Sequence, residues 1–301
     1  MDLTAAFPTF IVTLREGFEA ALVVGIVFAC LKKAEQSQLY RWIYFGILGG
    51  ILASIGVGVI LARTVQSLTT AGGIYAPVMK QILATSFGLV AIAMLSWMLL
   101  WMSKQARSVQ GEMRSAIDQA LSNNNAGVGI FLLVFIAVLR EGFETVLFLL
   151  AKFQESWALP ITGAIAGLIV AGVMGWLLFA IGIKINVRLF FQVMGVFLLL
   201  IVGGLVLSVS YHFDQVALLV SELSNNNWCW GTSSSCLLGI QVWDGSILLP
   251  DHAFPGIVLK ALFGYRQTLY LIQVFVYFAF LLLVGSAYWA SMKAISTAAR
   301  K

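Results

Sequence analysis

The hexapeptide Leu-Arg-Glu-Gly-Phe-Glu occurs twice in this chain, at residues 14–19 and again at 139–144. Each copy sets an arginine and two glutamates within five residues. On a helix turning 100° per residue, Arg15 and Glu19 stand about 40° apart and Glu16 and Glu19 about 60° apart, so all three share one face and roughly one turn. Arg140, Glu141 and Glu144 repeat the arrangement. Such a face has two uses. It can clamp helices together through Arg15–Glu19 and Arg140–Glu144 ion pairs, or it can offer carboxylate oxygens to a cation.

Charge arithmetic separates the two. Two guanidinium groups offset two of the four carboxylates and leave two negative charges over, which protons or a cation must neutralise. A divalent ion balances the site; a trivalent ion overshoots by one charge. An all-oxygen, carboxylate-rich set suits ferrous or ferric iron, manganese, magnesium or calcium, and suits copper(I) poorly. His212 and His252 lie too far along the chain to serve the motifs, which argues against a haem held by two histidines within the membrane.

The surroundings of the motifs are oil. Of 301 residues, 60% are hydrophobic and 10% charged, and the mean hydropathy is +0.96, which excludes an ordinary soluble domain. Apolar runs long enough to span roughly 30 Å of hydrocarbon recur at residues 5–31, 42–62, 78–102, 128–151, 160–183, 189–211 and 268–290. These runs do not alternate as barrel strands do, so the expected fold is all-α, a polytopic membrane protein with seven transmembrane helices. A charge at mid-bilayer costs about 2.5 to 3.5 kcal/mol, so six facing lipid would cost roughly 15 to 20 kcal/mol, more than a typical fold's stability. The motifs must therefore face the bundle interior, and there each other.

The net charge of +5 marks topology and not nucleic acid. Lys32, Lys33 and Arg41 follow the first span, Lys104, Arg107 and Arg114 the third, Lys184 and Arg188 the fifth, and Lys293, Arg300 and Lys301 end the chain. The positive-inside rule puts these in the cytoplasm, with the N-terminus outside and the C-terminus inside. The charge-poor start reads as no cleaved signal peptide.

The second motif copy lies three spans after the first, and an odd step reverses direction. The expectation is an inverted repeat of three helices each, residues 1–102 and 128–211, joined by a cytoplasmic loop at 103–127 with surface-helix character. An outer loop at 212–267 leads to the last helix at 268–290, all within one transmembrane domain. Gly46 and Gly50 in the second span match Gly163 and Gly167 in the fifth as close-packing pairs. Gln81 and Gln192 open the third and sixth spans as interhelix hydrogen-bonding groups.

Cys30 reads as a packed, reduced thiol, whereas Cys229 and Cys236 fall in the outer loop, where an oxidising compartment permits a disulfide. His212, Asp214, Glu222, Asp244 and Asp251 make that side acidic. His212 and Asp214, which follow the sixth span directly, are candidates for a relay that passes a cation towards the midplane.

The two Arg-Glu-x-x-Glu motifs in the first and fourth of seven helices resemble those of the oxidase-dependent iron permease family, within the iron/lead transporter superfamily. That family includes fungal high-affinity iron permeases and bacterial ferrous-iron permeases. The tract from Val242 to Tyr265 and Gln273 in the last span are similar to it as well. The resemblance implies that Glu16, Glu19, Glu141 and Glu144 carry iron, with Arg15 and Arg140 as motif partners. Iron, Fe2+ or Fe3+, would be the transported ion and not a resident cofactor. It implies a plasma or bacterial inner membrane, with lipid around the helices and no nucleic acid. It also implies an extracytoplasmic ferroxidase, iron-binding or peroxidase-type partner, and no catalysis by the chain itself. Two rivals remain: transport of another metal such as lead or manganese, and a membrane di-iron redox protein. The latter would normally need Glu-x-x-His pairs, which the sequence lacks.

Overall fold

The computed structural model describes residues 3–71, 73–105, 115, 117, 119, 125–152, 158–181, 186–224, 229, 235–246, 249–250, 253 and 255–298. Most of the surface-helix expectation for 103–127 lies outside them, as do Asp251, His252, Arg107, Arg114 and Lys184. Helices dominate: α1 (Leu3–Lys33), α2 (Tyr40–Ala71), α3 (Ala76–Gln105), α4 (Ala126–Lys152), α5 (Ala158–Trp176), α6 (Val187–Ser224), α7 (Gly256–Phe263) and α8 (Leu271–Ala298). Six of them, α2 to α6 and α8, are long and apolar enough to cross a membrane. The protein is an all-α polytopic membrane protein. α1 is as long, at 31 residues, but carries the first motif's three charges near its centre.

Short turns fix the helix directions. α1 ends where Glu35 adopts φ 56° and the Gln36 N–H reaches back to the Leu31 carbonyl at 3.0 Å, satisfying one of the helix's last acceptors. Lys32 and Lys33 sit in that last turn, where a helix end favours positive charge. One 3-10 turn later α2 starts back, and a second short turn at Gly73–Tyr75 reverses the chain again into α3.

The helices then pair along glycine seams. α1 runs parallel to α5, with Gly163 on Ala6, Gly167 on Phe10 and Thr13, Gly17 on Leu168 and Ala171, and Gly175 on Ala21. α2 runs parallel to α4 in the same manner, with Gly46 on Val134, Gly50 on Val138, Gly142 on Ser54 and Gly58 on Val146. α3 and α6 pair antiparallel, Gly88 meeting Val209. Because α1 opposes α2 and α2 parallels α4, α1 and α4 cross antiparallel. Val27 and Leu31 share a buried cluster with Ile130 and Val134, as that crossing requires. α1 is central, packed on α5 and touching α2, α4, α6 and α7.

These seams leave no room for a side chain. A Cβ on Gly167 would strike the Thr13 hydroxyl and lie 2.6 Å from the Phe10 carbonyl, which is backbone and cannot step aside. We expect Gly167→Val to push α1 from α5 at a cost of about 1 to 3 kcal/mol, read as a lower thermal midpoint in detergent. Gly172→Ala on the same helix, with nothing within 4 Å, should leave the midpoint unmoved.

Beyond the sixth span the described residues hold more regular structure than a loop. α6 continues past Tyr211 to Ser224, because Asp214, Ala217 and Ser221 bury one face at helical spacing. Strand β1 (Gln241–Asp244) pairs antiparallel with β2 (Thr268–Tyr270), and α8 starts only at Leu271. α7 ends at Gly264, whose φ of 66° and lack of a side chain let it lie directly against Gly204 of α6. The fifth span also departs from a plain helix, closing in a π-turn at Leu177–Ile181.

Candidate functional site

The two motifs meet. Across the α1–α4 crossing, one carboxylate oxygen from each of Glu16, Glu141 and Glu144 lies within 4.8 Å of the others, and all three residues are buried. Among the described residues this is a three-carboxylate group built from both copies. The Oε2 atoms of Glu16, Glu141 and Glu144 are buried without a hydrogen-bond partner.

The arginines offset part of this charge. Arg15, 3% exposed, pairs with Glu16 at 3.2 Å and with Glu19 at 3.1 Å. Arg140 pairs through Nε with Glu144 at 3.2 Å, and its side chain is half exposed. The helix-internal pairs Arg15–Glu19 and Arg140–Glu144 thus both form, yet they leave the facing oxygens of three glutamates uncompensated. Glu19 is held by Arg15, is slightly exposed and is not one of these three. Two motif partners had no signature in the sequence: Arg15 Nη1 contacts Met98 Sδ at 3.4 Å, and the Arg140 guanidinium lies 5.2 Å from the centre of the Trp101 ring. Both belong to α3, where they read as ordinary span residues.

The other motif residues position these groups. Gly17 lies where α1 approaches α5 and Gly142 where α4 approaches α2, so a glycine between the charged residues lets each motif helix pack closely against its own partner helix. Phe18 is fully buried against Phe190 and Phe191, with ring centroids 4.4 and 6.0 Å away, and locks the first copy's rotation.

His212 and Asp214 do not join the cluster. His212 Nδ1 lies 2.6 Å from Gln81 Oε1, tying α6 to the start of α3. Gln81 and Met98 are seventeen residues apart on that helix, about 26 Å. Asp214, 1% exposed, accepts at one oxygen from the backbone N–H groups of Cys236 and Leu237 and from the Ser235 hydroxyl. It anchors the segment in which Cys236 forms a disulfide with Cys229. Asp244 is exposed on β1, where the Ser246 N–H donates to it and holds its carboxyl below the usual range. The Gln192 backbone carbonyl accepts from the Tyr288 hydroxyl. Gln273 is buried between α6 and α8, its amide reaching the Leu207 carbonyl.

Comparison with known proteins gives this arrangement a family. The iron permease FTR1 family model matches residues 6–290. The chain is 48% identical over 294 residues to the uncharacterized protein slr0964 of Synechocystis, covering 97% of this chain and 96% of the relative. It is 30% identical over 296 residues to the ferrous iron permease EfeU of Escherichia coli O157:H7, covering 98% and 99%. It is 29% identical over 281 residues to EfeU of Yersinia pseudotuberculosis, covering 92% and 90%. No solved structure matches it.

Proposed function

The chain belongs to the iron permease FTR1 family, and from that premise we propose that it moves iron across the cell membrane through the carboxylates of its two motifs, with Glu16, Glu141 and Glu144 binding the ion and Glu19 exchanging between Arg15 and the ion. The observation that carries this reading is the set of three buried glutamate oxygens, from both motif copies, within 4.8 Å of one another. An ion held at about 2.1 Å by each oxygen needs them no more than about 4.2 Å apart, so they have to draw in by well under 1 Å. The residual charge of the motifs is two negative charges, which a ferrous ion neutralises.

Arg15 and Arg140 hold the carboxylates apart when the ion is absent. The inverted-repeat reading is supported by reciprocal packing: α1 lies along α5 as α4 lies along α2, and α3 meets α6. Under it, α1 is the seventh span, with residues 1–102 and 128–211 as the two halves. Lys32 and Lys33 mark the cytoplasmic end, so the N-terminus is outside. An extracytoplasmic ferroxidase or iron-binding protein supplies the iron.

Carboxylates alone do not select among divalent ions, so the second reading is another metal such as manganese or lead. Competition separates the two. In liposomes containing the chain, we expect at least about half of the ferrous uptake to remain at equal concentrations of manganese or lead. Complete suppression by either, with that metal itself taken up, would assign the site to it.

A further inference from the structure

The two motif copies are identical in sequence, yet their arginines and phenylalanines differ in exposure. The Arg15 side chain is 3% exposed and the Arg140 side chain 50%. The contrast continues at neighbouring equivalent positions: Ile11 is 5% exposed against 60% for Ile136, and Phe18 is covered where Phe143 is 39% exposed. Within α1 the change falls at the motif. Ile11 to Glu16 are buried without a break, whereas Glu19 to Val24 are all half-buried.

These differences have a direction. α1 and α4 cross antiparallel, and helical side chains lean towards their own N-terminus, so the two arginines reach towards opposite ends of the bundle. α3 registers the offset. Arg15 touches Met98 while Arg140 lies over Trp101, three residues further along, about 4.5 Å nearer the end that carries Lys32 and Lys33. The sealed arginine faces the α1 N-terminus, and the uncovered one faces the Lys32–Lys33 end.

A half-uncovered guanidinium in the middle of a span is costly in hydrocarbon and acceptable beside water. Leu132, Ile136, Arg140 and Phe143 form one exposed stripe on α4 leading from its first turns to the site. We infer that water reaches the carboxylate site along this stripe from the Lys32–Lys33 end only, and that this is one of two states in which Arg15 and Arg140 exchange the roles of seal and opening. The inference rests on the iron-permease reading above. Inverted halves give the exchange its geometry, because the stripe's counterpart on α1, at Ile11, Arg15 and Phe18, opens towards the other face when the halves swap conformations.

Cysteine probes test it. Ile136→Cys and Ile11→Cys are each placed in a Cys30→Ser chain, the Cys229–Cys236 pair being disulfide-bonded and silent. The chains are reconstituted in vesicles of known orientation and exposed to a charged, membrane-impermeant maleimide. Without metal, Ile136→Cys should react at least about tenfold faster than Ile11→Cys, and only from the Lys32–Lys33 face. During ferrous uptake, Ile136→Cys should slow and Ile11→Cys should become reactive from the opposite face. The inference is overturned if Ile136→Cys reacts with a lipid-soluble maleimide but not the charged one, since the stripe then faces lipid. Equal reactivity of both probes from both faces, the mark of an open pore, overturns it too, as does an Ile11→Cys that stays silent through turnover. One-sided labelling in a chain that takes up no iron leaves the water path standing and overturns the iron-permease reading instead.

Discussion

Glutamine at Glu16, or at Glu141, should bring iron uptake down to the level of protein-free vesicles while the variant still inserts and purifies as a folded membrane protein. The amide keeps the volume of the carboxylic acid and removes its charge, so the packing of α1 on α4 survives while the site loses one of the two negative charges that a ferrous ion needs. Both residues are buried, both belong to the three-carboxylate cluster, and each has an Oε2 without a hydrogen-bond partner. Glu19→Gln should do less harm, because Glu19 lies beside Arg15 and outside that cluster. Vesicle uptake of radioactive iron by the three variants checks the order. Normal uptake by Glu16→Gln and Glu141→Gln together would remove the site assignment.

Arg15→Gln should be the most destabilising single change among the motif residues. It strips the cation from Glu16 and Glu19 at a fully enclosed position, and breaking a buried ion pair from one side costs about 3 to 5 kcal/mol. Arg140→Gln should cost a smaller fraction of that, since half of its side chain is already uncovered. Thermal unfolding in detergent measures both. Ferrous ion added to Arg15→Gln should recover part of the loss by supplying the missing positive charge, up to about 2.7 kcal/mol at a hundredfold excess over its dissociation constant. Equal shifts for the two arginine variants would mean that their different enclosure has no energetic weight.

Most of the helical framework was legible in the sequence, because apolar runs bounded by turns and basic clusters leave little choice inside a bilayer. The meeting of the motifs was legible for the same reason, as charges that cannot face lipid must face each other. The outer region was less so. α6 continues through Asp214, Ala217 and Ser221, and Asp214, which reads from sequence as a relay group, spends one oxygen on backbone donors 22 and 23 residues away. Such tertiary acceptors leave no local pattern. Met98 and Trp101 were invisible because an apolar residue beside a charge looks like any other residue of its span. Nor could the sequence separate the two copies of one hexapeptide. Among the described residues, α6 and α7 both lie against α1, whereas neither packs comparably along α4.

The measurement closest to the central claim is ferrous uptake into liposomes that hold only this protein, beside liposomes that hold the Glu16→Gln, Glu141→Gln double variant, with chelated ferric ion offered in parallel. Saturable ferrous uptake by the unaltered chain, absent from the double variant, is the result expected of a carboxylate-borne iron permease. Uptake by the double variant equal to that of the unaltered chain would contradict it.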